Sequence, residues 1–159
     1  MKSTVSHSDE EHSGDVDEAS VQAVATAMHE APLHLLRRAL QRYTRAWQNA
    51  VPNLSAPQFA VLLAICKIKG LNQSRLSEIT AIDPATLAEL LARLEKKGIL
   101  RRIGDPRHAR RNLLEITDTG RNELQAAEQH ETSVRSEVLG ALSNEEQQVF
   151  ITLLNKVIR

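Results

Sequence analysis

The chain has 159 residues, room for one compact domain with an apolar core, which excludes a large multidomain enzyme. Four aromatic residues, six glycines and five prolines are too few for a β sandwich, and the richness in Leu, Ala, Glu and Arg favours helices. The formal net charge of zero hides an asymmetry: residues 1–31 carry a net −6 and residues 93–111 a net +6, the latter pointing to a surface that faces a polyanion.

A single cysteine, Cys66, excludes an internal disulfide framework and a cysteine-only metal cage within one chain, and suits a reducing compartment. The N-terminus is acidic and polar without an apolar stretch, and no run approaches the ~18 apolar residues that span a bilayer. The expectation is a cytoplasmic protein with no membrane partner.

Residues 1–16 are rich in Ser, His and acid with almost nothing to bury, and read as a disordered acidic tail ahead of a single domain over 17–159. Behind Asp17, a good N-cap, Val21, Val24, Ala25 and Met28 recur at helical spacing until Pro32 interrupts. Pro32 suits the first turn of a second helix, striped by Leu36, Leu40, Tyr43 and Trp47 and ending near Val51 and Pro52. Ser55 caps a third, with Pro57 in its first turn and Phe59, Leu62, Leu63, Ile65 and Cys66 along it, stopping around Gly70. A short helix over 73–80 turns Leu76 and Ile79 inward. Asp83 then caps a fifth, with Pro84 in its first turn and Leu87, Leu90, Leu91 and Leu94 inward, ending at Lys97 and Gly98. Residues 99–103 and 112–116 are compatible with strands, and the turn-rich basic loop 104–110 between them makes a β-hairpin with an arginine tip. Thr117 caps a long helix to about Leu139, and Ser143 with Glu146 forms a capping box for a last helix through Val149, Phe150, Leu153, Leu154 and Val157. The fold class is mostly α with a two-stranded β wing.

A helix-turn-helix followed at once by a basic hairpin makes a winged helix, whose second helix fits the DNA major groove while the hairpin reaches the minor groove or phosphates. With the four leucines turned to the core, Ala85, Thr86, Glu89 and Arg93 are left for the groove. Arg93, Lys96 and Lys97 also suit a solvated helix end that complements the dipole, and for the two lysines that reading is at least as good. A loop carrying Arg107, Arg110 and Arg111 against one acid has no intramolecular reason for so much like charge, whereas a narrow minor groove attracts arginine.

The stretch 90–120, LLARLEKKGILRRIGDPRHARRNLLEITDTG, resembles the winged-helix core of the MarR family of bacterial transcription regulators, with its Lys-Lys-Gly, Asp-Pro, arginine wing and apolar-Thr-x-x-Gly. Residues 54–63 and 76–94 resemble the same family's preceding helices, so the resemblance spans roughly 33–159. It implies a two-fold homodimer built by dimerisation helices within 17–52 and 117–159, with two DNA-binding heads of residues 53–116 on a palindromic operator. The family wing usually reads Asp, basic, Arg, where this chain has His108, Ala109 and Arg110. Arg110 thus takes the minor-groove role, but the bracing acid is missing. Two alternatives stay open: a wing held by Asp105 pairing with Arg107, or one that is looser before DNA binds. His108 is a candidate for a pH-dependent phosphate contact.

The resemblance also implies a cleft for a small phenolic or carboxylate-bearing aromatic effector. His34 and Arg38 lie four residues apart on one helix face with Arg37, Tyr43 and Trp47 near by, a set suited to an aromatic acid. Gln58, Phe59 and Leu62 are candidate cleft walls. The competing assignment has Arg37 and Arg38 bridging across a dimer and Tyr43 and Trp47 in the core. Cys66, inside the apolar run 61–65, is expected to be a buried, inert thiol, which disfavours oxidant sensing. His7, His12, His29, Glu30, His34 and His130 lack the His-x-x-x-His spacing of a ligand helix, so no metal and no cofactor are expected. A helical protein-interaction adaptor is the alternative from another class, and it fits a basic wing poorly. No glycine-rich phosphate loop or nucleophile–base spacing marks an enzyme. The expected function is a homodimeric repressor of a catabolic or efflux operon, relieved by a small aromatic acid, with a metal- or oxidant-responsive regulator of the same fold as the alternative.

Overall fold

Apart from the one that opens on Pro32, the helices begin where a short polar side chain takes up amides that have no partner inside the helix. The computed structural model describes residues 17–106 and 108–158, without the side chains of 108–111. The elements are α1 (Glu18–Glu30), α2 (Pro32–Ala50), α3 (Ala56–Lys67), α4 (Gln73–Thr80), α5 (Pro84–Lys96), β1 (Leu100–Asp105), β2 (His108–Ile116), α6 (Asp118–Leu139) and α7 (Asn144–Val157). Asp17, Ser55, Asp83, Thr117 and Ser143 cap their helices as the sequence predicts, and Ser143 and Glu146 close the expected capping box. Two caps escaped sequence reasoning: Asn72 accepts from the Arg75 amide, and Gln58 completes a second capping box with Ser55. The predicted tail lies outside the described residues. Among those described, no helix is long and apolar enough to cross a membrane.

The described residues divide into two compact units, the first ending at Arg38 and the second starting at Ala39, with the boundary inside α2. In the first, the stripe of α1 that the sequence marks as apolar is exposed at Val21, Val24 and Met28, as are Leu33 and Leu35 of α2. The second holds the core. Trp47 is its largest buried side chain, and its indole Nε1–H donates to the Leu54 carbonyl at 2.7 Å while its ring lies 4.7 Å from that of Phe59. Around it close Val61, Leu62 and Ile65 of α3, Leu76 of α4, the four leucines of α5, Leu100, Leu114 and Ile116 of the hairpin, and Leu124 and Ala127 of α6. Burying this much apolar surface in one cluster is what holds the helix-turn-helix and hairpin together. On α7, Val149, Ile151, Leu153 and Val157 remain exposed.

The join between α5, the hairpin and α6 follows from two short motifs. Lys97-Gly98-Ile99 ends α5 as a Schellman turn: the Gly98 amide donates to the Glu95 carbonyl and the Ile99 amide to that of Leu94, at 2.9 and 3.0 Å. Gly98 has φ +68°, a backbone shape that a side chain strains. Thr117 then serves both sides. Its hydroxyl accepts from the Gly120 amide and donates toward the Gly98 and Ile99 carbonyls at 2.6 and 3.0 Å, while its own amide donates to Ile99.

The hairpin departs from the sequence expectation. The loop predicted over 104–110 is mostly strand, because the ladder continues through polar and basic residues toward the tip. Pairing runs from Leu100 opposite Ile116 to Gly104 opposite Asn112, then jumps so that Asp105 faces His108, leaving residues 109–111 as a bulge in β2. At the other edge the Leu114 amide donates to the Leu71 carbonyl at 2.9 Å, tying the hairpin to the segment before α4. Cys66 is a correction: it is exposed rather than buried. By helical angle it belongs with the inward stripe of α3, but it sits in the last turn, where an open cavity takes the place of core.

Candidate nucleic-acid interface

The helix-turn-helix is held by local contacts that set the angle at which α5 is presented. The turn passes through Ala81 at φ +52°, and the Ser77 hydroxyl donates to the Ile82 carbonyl at 2.6 Å to hold it. Gln73 at the start of α4 donates to the Pro84 carbonyl at the start of α5. Asp83 caps α5 through the Thr86 amide at 2.9 Å, and hydrogen bonds from the Thr86 hydroxyl and amide hold the Asp83 carboxyl below its ordinary pKa. Capping fixes Thr86 in the first turn, where a recognition helix meets bases or phosphates.

Along α5 the division of faces is as expected. Leu87, Leu90, Leu91 and Leu94 are buried, and Ala85, Thr86, Glu89 and Arg93 are all exposed. Arg93 and Glu89 form an exposed pair at 3.3 Å, which water and salt weaken and a nucleic-acid phosphate can displace. Arg107 lies outside the described residues, and His108, Arg110 and Arg111 are placed by the β2 backbone alone, the last two within the bulge. The suggested pairing of Asp105 with Arg107 likewise falls outside.

The positive balance of residues 93–111 needs adjustment. Arg101 pairs with Glu115 across the hairpin at 2.5 Å, Arg102 reaches Glu95 at 3.2 Å, and Arg93 holds Glu89. Two of these acids lie outside the counted window, so a linear count misses neutralisation that the i,i+4 and cross-strand geometry supplies. One feature was absent from the sequence reasoning altogether. Asn72, Gln73, Ser74 and Arg75 at the start of α4 share an open polar groove of about 580 Å³ with Arg102 and Asn112 of the hairpin. The N-cap at Asn72 was the available signal, since the first helix of such a motif crosses the phosphate backbone with its amides outward.

The effector candidates fall in both units. In the first, Arg38 lies 3.2 Å from Nε2 of His29, and Arg37 lies 3.4 Å from Nδ1 of His34. Partial desolvation, then the charges of Arg37 and Arg38 and the neighbouring His29, hold His34 below its ordinary pKa. His29 was not among the predicted effector residues; its spacing from Arg38 crosses the α1–α2 break, so no single-helix pattern reveals it. In the second unit, Gln58 is occupied in the capping box, Phe59 packs on Trp47 and Leu62 is fully buried. Tyr43 is half-buried, and burial together with Glu131 raises its pKa. Among the described residues no three His, Cys, Asp or Glu side chains gather as metal ligands would.

Comparison with known proteins agrees with this geometry. The model of the MarR family matches residues 53–111, the segment from the start of α3 to the hairpin bulge. Transcriptional regulator HosA of Escherichia coli O111:H- is 41% identical over 132 residues, which cover 83% of this chain and 98% of HosA. The PcaV transcriptional regulator of Streptomyces coelicolor, solved with its natural ligand, superposes with a TM-score of 0.78 at 32% identity, covering 82% of this chain and 94% of PcaV. BpsR of Bordetella bronchiseptica, whose DNA binding is regulated by 6-hydroxynicotinic acid, superposes with a TM-score of 0.72 at 30% identity, covering 79% of this chain and 97% of BpsR. With its recognition helix, hairpin and supporting helices all accounted for, the chain belongs to the MarR family of winged-helix transcription regulators, which bind DNA and are not enzymes.

Proposed function

We propose that this regulator is a homodimeric repressor that leaves a palindromic operator when a small aromatic carboxylate or phenol binds, and that the operon it governs serves catabolism or efflux. The observation that carries the effector is the cation cluster of α1 and α2. Arg37 and Arg38 each meet an imidazole, and among the described residues neither guanidinium has an acidic partner. Such a pair attracts an anion and can hold a carboxylate by two parallel hydrogen bonds. The regulation of BpsR by a hydroxylated aromatic acid supports that ligand class. The exposed apolar stripes of α1 and α7 are the surfaces that a second chain covers. On the operator, Ala85, Thr86, Glu89 and Arg93 face the major groove, and Arg107, His108, Arg110 and Arg111 follow the wing to the minor groove or phosphates.

Fluorescence anisotropy with a duplex from upstream of the protein's own gene tests this, at several salt concentrations and with a panel of aromatic acids. Binding should weaken with salt at a log–log slope of about −0.9 per phosphate contacted. Arg110→Ala should weaken binding about tenfold or more while the fold persists, as expected for loss of a minor-groove arginine. Arg38→Ala should bind DNA like the wild type but resist release by the acid. Failure to bind any duplex at low salt would refute the operator reading and favour a protein-binding adaptor, and tight binding that no acid disturbs would refute the effector.

A further inference from the structure

A cavity of about 410 Å³ lies at the foot of the hairpin, between the last turn of α3, both strands and the first turn of α6. It shares no residue with the α1–α2 cluster or with the exposed face of α5, and its size is within the ~300–1,000 Å³ of small-molecule sites. Ile65, Ile103 and Leu113 give it an apolar wall, and Ile103 remains 38% exposed although Leu113 stands opposite it in the hairpin. Two cations border it. Lys69 has no acidic partner among the described residues, and Arg121 holds only the fully exposed Asp118 at 3.5 Å. Glu115 also lines the cavity, but Arg101 engages its carboxylate at 2.5 Å. What remains is a recess with one apolar wall, polar groups on the rest of its lining, and two cations at its mouth.

We propose that this cavity is a second ligand site, for a small apolar carboxylate. Arg121 takes the carboxylate through its planar fork, Lys69 adds a point charge, and the ring or short chain lies on Ile65, Ile103 and Leu113. Because the walls come from α3, both strands and α6 at once, an occupant ties the hairpin to the helices on either side. The site is independent of the proposed effector cluster and would stand if that assignment fell.

Cys66 is part of the wall and is the chain's one cysteine, so its alkylation reports on the cavity. The full-length protein is treated with iodoacetamide, with benzoate as the probe and benzyl alcohol as its neutral counterpart, and labelling is followed by intact mass. With benzoate at ten times its dissociation constant the rate should fall about tenfold, as mass action requires, and benzyl alcohol should leave it unchanged. The Lys69→Met, Arg121→Met double variant changes two exposed side chains and should label at the same rate with and without benzoate, its fold checked by circular dichroism. Arg38→Ala should keep full protection. A thiol that fails to react without benzoate, no protection at millimolar benzoate, equal protection by benzyl alcohol, or protection that survives the double variant would each overturn the proposal. Protection lost in Arg38→Ala would overturn it too, by assigning the effect to the α1–α2 cluster.

Discussion

Gly120→Ala separates local helix preference from the packing of the α5–hairpin–α6 join. Gly120 lies in the first turn of α6, where an alanine by propensity alone would stabilise by roughly 0.5–1 kcal/mol. Its surroundings reverse the sign. An added Cβ runs into the Ile99 carbonyl oxygen and stands 2.7 Å from Cγ1 of Ile116. That carbonyl cannot simply withdraw, because it accepts from the Thr117 amide at 3.1 Å and the Thr117 hydroxyl at 3.0 Å. Overpacking of this kind costs about 1–3 kcal/mol, and a weakened hydrogen bond adds about 1 kcal/mol. After the propensity gain, the net is a loss of about 1–3.5 kcal/mol, which lowers the urea midpoint by about 0.5–2 M for an ordinary m-value. The assay is equilibrium urea unfolding at one fixed protein concentration, since association would otherwise shift the midpoint. Gly104→Ala is the control: nothing lies within 4 Å of its added Cβ, and its effect should stay within about 0.5 kcal/mol. A Gly120→Ala protein as stable as the wild type, or more so, would refute the packing argument.

Trp47→Phe should lower stability by about 1–3 kcal/mol in the same assay, because the Leu54 carbonyl loses its indole donor in a dry environment. An unchanged midpoint would mean that water reaches that carbonyl. The His34 imidazole should titrate below the ordinary histidine value of 6.5 in the folded protein, read by NMR of the ring protons. With the folded value below the unfolded one, the neutral ring favours the fold above pH ~6.5, and this contribution fades as pH falls through the folded value. Adding an aromatic acid that docks beside Arg37 and Arg38 should move the titration upward. A titration at or above 6.5 without ligand would contradict the arrangement around His34.

Much of the fold was legible because its signals act over a few residues. Asp17, Ser55, Asp83, Thr117 and Ser143 each bond an amide two or three positions ahead, so cap and helix start are read together. The leucines at 87, 90, 91 and 94 share one side of α5, and helical geometry alone leaves Ala85, Thr86, Glu89 and Arg93 on the other. Lys97-Gly98 ends α5 because only the chain's own backbone is needed to close the turn. The exposed face of α5 was therefore accessible from the sequence.

The remaining features needed residues far apart in the chain to meet. Glu115 neutralises Arg101 only because hairpin register sets them opposite each other, and His29 reaches Arg38 only across the break between two helices. The hairpin ladder persists past Gly104 because main-chain groups of two strands find one another, whatever their side chains suggest about loops. Cys66 follows the inward stripe by angle, yet whether that direction holds core or cavity depends on where β2 and α6 come to rest. Sequence by itself determined the helices, five of their caps and the exposed face of α5, since these rest on contacts within about four residues. Tertiary structure decided which cations stay unpaired and where space is left for a ligand, because charge pairing and cavities are set by which distant surfaces are brought together.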